Sequence, residues 1–155
     1  MNTFEKSTLI KCSIDELFDF HLDTNNLTKI TPNNIKVKLL TPDFEAKEGE
    51  VLKLKSIKNF IPLNWTVKIQ KLKKPDILVD VAIKSPFKYW EHQHVFIKHA
   101  NFTELKDIVK YEMQFGYIGA LFSSLVNKDL ENMFDFRHNI TKKILENKES
   151  IWNEL

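Results

Sequence analysis

One pattern constrains this chain more than any other. In separate runs between Ile35 and Met113 apolar side chains recur at every second residue, and the period then changes to that of a helix. Period two places successive side chains on opposite faces of an extended strand. Ile35, Val37 and Leu39 alternate with Lys36 and Lys38; after a turn at Glu48-Gly49, Leu52 and Leu54 alternate with Lys53 and Lys55. Trp65, Val67 and Ile69 alternate with Asn64, Thr66 and Lys68, and Ile77, Val79, Val81 and Ile83 alternate with Asp80 and Lys84. Two longer strands are expected over about 88–98 and 102–113. Lysines scattered singly along such strands solvate an outer face and blunt sheet edges.

The flanking segments complete the outline. Residues 3–11 read as a first strand, mixing β-branched and apolar side chains with polar ones. Ser13-Ile14-Asp15-Glu16 fits a capping box, in which the Ser hydroxyl and Glu carboxylate satisfy free N–H groups at a helix start. A short helix to about Leu22 follows. A second is expected from Asn26 to Ile30, ending before Pro32, which disfavours helical geometry in the residue preceding it. Phe115-Gly116-Tyr117-Ile118-Gly119 suits a tight exit from the sheet, and a long helix is expected from about Leu121 to Asn147. Val126, Leu130, Met133, Phe134, Arg137, Ile140, Thr141 and Ile144 form its buried stripe. No repeat, low-complexity tract or linker interrupts residues 1–155, so a single α+β domain is expected, an antiparallel sheet curling around its C-terminal helix.

The stretch Ser85–Phe96, SPFKYWEHQHVF, carries the candidate chemistry. Taking Ala100-Asn101 as the turn pairs His99 with Phe102. The register then sets His94 opposite Asp107, His92 opposite Val109 and Trp90 opposite Tyr111. Glu91 falls opposite Lys110 on the other face, a cross-strand ion pair that supports this register. The face bearing Trp90, His92, His94, Phe96, Leu105, Val109, Tyr111 and Met113 is the more apolar, so the two histidines point inward with Asp107 and Tyr111 beside them. Arg137, the only arginine in the chain, interrupts the helical stripe. A guanidinium so placed pairs with a carboxylate or binds an anionic group. His138 lies off the centre of the stripe.

Composition weighs against several classes. A net charge of +2, from 23 basic residues that are almost all Lys, lacks the clustered Arg and interleaved aromatics of a nucleic-acid surface. Apolar runs are too short for a membrane span. The N-terminal stretch MNTFEKSTLIKCSI has no apolar h-region, so no signal peptide is expected, and the lone Cys12 fits a reducing cytoplasm.

The chain resembles the SRPBCC superfamily, the START-like or helix-grip proteins, over nearly its whole length. The nearest pattern is that of small bacterial single-domain members assigned to ligand binding or to cyclase/dehydrase-like chemistry. The residues that carry the resemblance are Glu16–His21, Asn26-Leu27, Thr31-Pro32, Trp65, Pro86–His94, Asp107-x-Val109-x-Tyr111, Phe115-Gly116 with Gly119, and Phe134-x-x-Arg137-His138. Ser85 and Gln114 depart from it, standing where a glycine and a proline are usual. The resemblance implies about seven strands gripping the C-terminal helix over a cavity for a hydrophobic ligand. It fixes no reaction, since the superfamily spans carriers, receptors and aromatase/cyclases.

The residues support a leading reading and three others. A small hydrophobic or aromatic ligand with a polar head group would lie against Trp65, Trp90, Phe96 and Met113, with His92, His94, Asp107, Tyr111 and Arg137 supplying the polar side; no cofactor is required. A cyclase or dehydratase would use His94 and Asp107 as an oriented acid/base pair, with Tyr111 or Arg137 stabilising an enolate-like oxygen. Nothing resembles an activated nucleophile. H-x-H on a strand also lets His92 and His94 converge on a metal with Asp107 as third ligand, although no Cys cluster or H-E-x-x-H accompanies it. The exposed sheet could instead serve protein interaction.

Overall fold

The computed structural model describes residues 1–114 and 123–152. The expected glycine-rich exit at 115–119 and a helix start at Leu121 lie outside the described residues. The chain runs β1 (Asn2–Ile10), α1 (Ile14–Leu22), α2 (Asn26–Lys29), β2 (Ile35–Leu39), β3 (Val51–Lys58), β4 (Ile61–Lys73), β5 (Ile77–Lys84), β6 (Tyr89–Lys98), β7 (Thr103–Glu112) and α3 (Ser123–Trp152).

Local chemistry accounts for the boundaries. The capping box opens α1: Glu16 N–H donates to Ser13 Oγ at 3.2 Å and Ser13 N–H to Glu16 Oε2 at 3.1 Å. Gly49, with φ at 89°, takes the left-handed conformation of the turn before β3. The turn between β6 and β7 closes with His99 N–H donating to the Phe102 carbonyl at 2.8 Å. A two-residue turn, Asn59-Phe60, joins β3 to β4 with both residues at positive φ, 49° and 66°.

All seven strands form one antiparallel sheet in the order β1-β7-β6-β5-β4-β3-β2. Its first and last strands in sequence are neighbours, with Asn2 opposite Tyr111 and Ile10 opposite Thr103. The register between β6 and β7 is the expected one, including His94–Asp107, His92–Val109 and Trp90–Tyr111. Lys110 Nζ lies 3.4 Å from Glu91 Oε1 on the outer face. The alternation in β5 turns the other way from what its side chains suggest. Asp80 pairs opposite His92 and Leu78 opposite His94, so Asp80 faces inward while Ile83 is 63% exposed. Register against β6, with bulges against β4, decides the face, and hydrophobicity alone does not.

Helix α3 lies across the inner face and packs against β1. Two apolar clusters form there. Ile10, Leu17, Phe18, Phe96, Leu105 and Leu145 make one, and Trp90, Val109, Tyr111, Leu130 and Phe134 the other. Between them on β6, β7 and α3 sit His92, His94, Asp107 and His138, a polar layer inside an apolar core. No helix among the described residues is long and apolar enough to cross a membrane.

Candidate functional site

A cavity of about 350 Å³ opens between the sheet and α3. Leu52, Leu54, Trp65, Val67 and Ile69 wall it from the sheet, Phe20 and Ile30 from the short helices, and Leu130 and Met133 from α3. Its polar lining includes His21, Asp80, His92, His94 and Arg137. Trp65 and Trp90 meet edge to face with ring centroids 5.4 Å apart, making a rigid aromatic end. A more open depression of about 540 Å³ lies away from this cluster, between residues 11–15 and the β6–β7 turn.

The hub of the polar layer is Asp107, whose side chain is 4% exposed. His92 Nε2–H donates to its Oδ1 at 3.0 Å, and His138 Nε2–H to its Oδ2 at 2.8 Å. His94 Nδ1 lies 2.8 Å from Oδ1 but off the line on which a hydrogen bond forms. On the cavity side the Asp80 carboxylate faces the same two rings, its Oδ2 3.7 Å from His92 Nδ1 and 3.5 Å from His94 Nε2. The rings of His92 and His94 stack with centroids 3.9 Å apart.

This arrangement divides the charges. Burial opposes charge on His94, but Asp107 and Asp80 outweigh it and raise its pKa to about 9. Burial also penalises the Asp107 carboxylate, yet His94 and His92 hold its pKa well below the ordinary range. Burial lowers His92, and the charge on His94 adds to the effect. His21, lowered to about 3 mainly by burial, is neutral and gives its Nδ1–H to the Leu17 carbonyl at 2.8 Å. Burial likewise pulls the Arg137 guanidinium below its usual value against the attraction of Asp107 and Asp80. Arg137 lies over the Phe134 ring, 5.4 Å from its centroid, and its buried Nε has no hydrogen-bond partner among the described residues.

Of the residues singled out in the sequence, Trp65, Trp90, His92, His94 and Arg137 line the cavity. Asp107 stands behind the histidines. Phe96 packs edge to face with Phe18, 5.2 Å between centroids, within the first cluster, and Met113 packs against the second. Tyr111 is fully buried and donates its hydroxyl to Asn127 Oδ1 at 2.7 Å. No ion pair joins Arg137 to Asp107 among the described residues; histidines occupy both oxygens of that carboxylate.

Three site residues escaped the sequence. His138 reads as off the helical stripe, yet it is 1% exposed, because β1 covers that flank of α3 and Thr8 Oγ1 meets its Nδ1 at 2.9 Å. Asp80 reads as a polar residue alternating with the apolar face of its strand. His21 is marked only as the last residue of the Glu16–His21 run that carries the resemblance, which gives it no place in the site. The F-x-x-R-H spacing was the available signal for His138.

No protein-family model matches the sequence, and no curated protein matches it. Solved structures do. Protein CV1439 from Chromobacterium violaceum superposes with a TM-score of 0.76 at 11% identity, covering 94% of this chain and 99% of that one. The di-domain ARO/CYC StfQ from the steffimycin biosynthetic pathway gives 0.74 at 10% identity over 96% of this chain and 52% of its own. Ara h 8.0201 gives 0.67 at 12% identity, over 90% and 97%. At such identities the likeness concerns the fold.

Proposed function

The chain has the START-like helix-grip fold, and from that premise we propose that it binds a small hydrophobic or aromatic molecule with a polar head group between the sheet and α3, for carriage or sensing. One observation carries the reading: an apolar cavity into which Asp80, His92, His94 and Arg137 converge. Its volume, about 350 Å³, falls at the lower end of the range of small-molecule sites, roughly 300–1,000 Å³. That suits a compact ring compound better than a two-chain lipid. The aromatic end at Trp65 and Trp90 takes the apolar body. Arg137 receives the head group, since its buried Nε has no hydrogen-bond partner among the described residues and an entering acceptor supplies one.

Native mass spectrometry of gently purified protein, followed by extraction of what co-purifies, tests this. An organic molecule of stoichiometric occupancy is the expected result, and Arg137→Met should release it. Protein that carries nothing, and fails to bind any compound of a hydrophobic carboxylic acid and phenol panel, would sink the reading.

A second reading has its own support. His94, held charged between two carboxylates in the cavity wall, is placed as a proton donor. A cyclase or dehydratase needs such an acid, and the ARO/CYC likeness accords with it. His94→Gln should then abolish turnover of a candidate substrate while leaving its binding largely intact; loss of binding alone favours the carrier.

A further inference from the structure

The gap between Asp80, His92 and His94 has a geometry that hydrogen bonding does not explain. Asp80 Oδ2 stands 3.7 Å from His92 Nδ1, too far for a hydrogen bond, and 3.5 Å from His94 Nε2, at the outer limit. One donor atom from each residue lies within 4.8 Å of the others. Donors bound at about 2.1 Å to one tetrahedral or octahedral ion stand roughly 3–3.5 Å apart. Small side-chain rotations close the difference.

The tautomers sharpen the point. His92 gives its Nε2–H to Asp107, so its Nδ1 carries a lone pair and directs it at a carboxylate oxygen. Two electron-rich atoms so placed repel; in the metal-free protein the neighbouring His94 proton offsets this, and a divalent cation between them takes that role and displaces the proton. Meanwhile the far nitrogens of both rings converge on Asp107, at 3.0 Å for His92 and 2.8 Å for His94. A carboxylate behind metal-bound imidazoles is the usual device for fixing their tautomer and orientation.

We propose that Asp80, His92 and His94 bind one divalent transition-metal ion, that Asp107 is the outer carboxylate, hydrogen-bonded to His92 and 2.8 Å from His94 Nδ1, and that the remaining coordination positions open into the cavity. The sequence suggests Asp107 as third ligand. The structure assigns that place to Asp80, because both Asp107 oxygens are engaged by His92 and His138. Two imidazoles and one carboxylate with open positions suit zinc or a redox-active first-row ion alike. The ion and Arg137 together outweigh the two carboxylates, so an anionic oxygen on a hydrophobic body would complete the site; this last step alone rests on the ligand-binding reading.

The test is Co²⁺ titration of the untagged, chelator-treated full chain, followed by visible absorption and by metal analysis after gel filtration. One Co²⁺ per chain with a ligand-field band is expected, displaced by Zn²⁺. Asp80→Asn and His94→Gln, each checked for fold by circular dichroism, should weaken binding by roughly tenfold or more. His99→Ala, which removes the exposed His99–Glu104 pair, should leave it unchanged. No stoichiometric binding, or binding lost with His99→Ala and retained in Asp80→Asn and His94→Gln, overturns the proposal. Displacement of a hydrophobic fluorescent dye from the metal-free protein reads the cavity separately. Dye binding without Co²⁺ binding removes the metal site alone, and Co²⁺ binding without dye binding removes the ligand reading alone.

Discussion

Between α1 and β6 the ring of His21 lies 5.3 Å from that of His94 and 5.2 Å from that of Phe96, centroid to centroid. Its pKa falls to about 3 in the folded protein, against about 6.5 when unfolded. Below pH 6.5 the unfolded chain therefore binds a proton that the folded chain refuses, and stability falls with pH down to about 3. For His21→Phe we expect a flatter acid limb over this window, the difference being on the order of 3 kcal/mol near pH 4. Denaturant midpoints of chelator-treated protein from pH 7 to 4 would show it. Part of the slope stays, because His92 is lowered too. Identical slopes in the two proteins would contradict the assignment. At this scale the sequence revealed what parity and a short turn can reveal. His94 and Asp107 were legible because two residues of turn and the Glu91–Lys110 pair left one register. Asp80 was not, since its face depends on bulges in a neighbouring strand, and His138 was not, since its burial depends on a strand about 130 residues away.

Among the elements, the β3–β4 hairpin departs furthest from its own residue preferences. Asn59 and Phe60 both have positive φ in a two-residue turn, a conformation that asparagine tolerates and glycine prefers. Phe60 has a Cβ that crowds the backbone there, and its side chain is 98% exposed, so it packs against nothing in return. Phe60→Gly should raise stability by about 1 kcal/mol and the melting temperature by roughly 2–4 °C, as read by a thermal melt. An unchanged or lowered melting temperature would show that the side chain has a contact this geometry does not give it. Phenylalanine hides this turn in the sequence, where it reads as one more strand residue. Helix α3 was legible from its stripe, although it runs to Trp152 rather than ending near Asn147.

For the molecule as a whole, the two edges of the sheet differ. β1 is covered by α3, with His138 and Lys142 reaching Thr8 and the Leu9 carbonyl, whereas β2 has five residues and pairs only with β3. Amide hydrogen exchange should therefore be slowest in β6 and β7, slow in β1, and fastest among strands in β2; β1 exchanging as fast as β2 would refute this. The architecture itself was legible because period-two alternation and one helical stripe leave few alternatives, whereas the cavity arises from how far the sheet curls, which no residue pattern records. The pairing of β1 with β7 also governs the order in which the chain can assemble on the ribosome. Asn2 cannot find Tyr111 until about 100 further residues have been made, a delay of roughly 5–20 s at ordinary elongation rates. Until then Ile10, fully buried at the end, is exposed, and the partner of Asp107 on α3 has not yet been synthesised. The polar layer is thus among the last parts of the core to close, and a nascent chain stalled before β7 is a natural client for a chaperone.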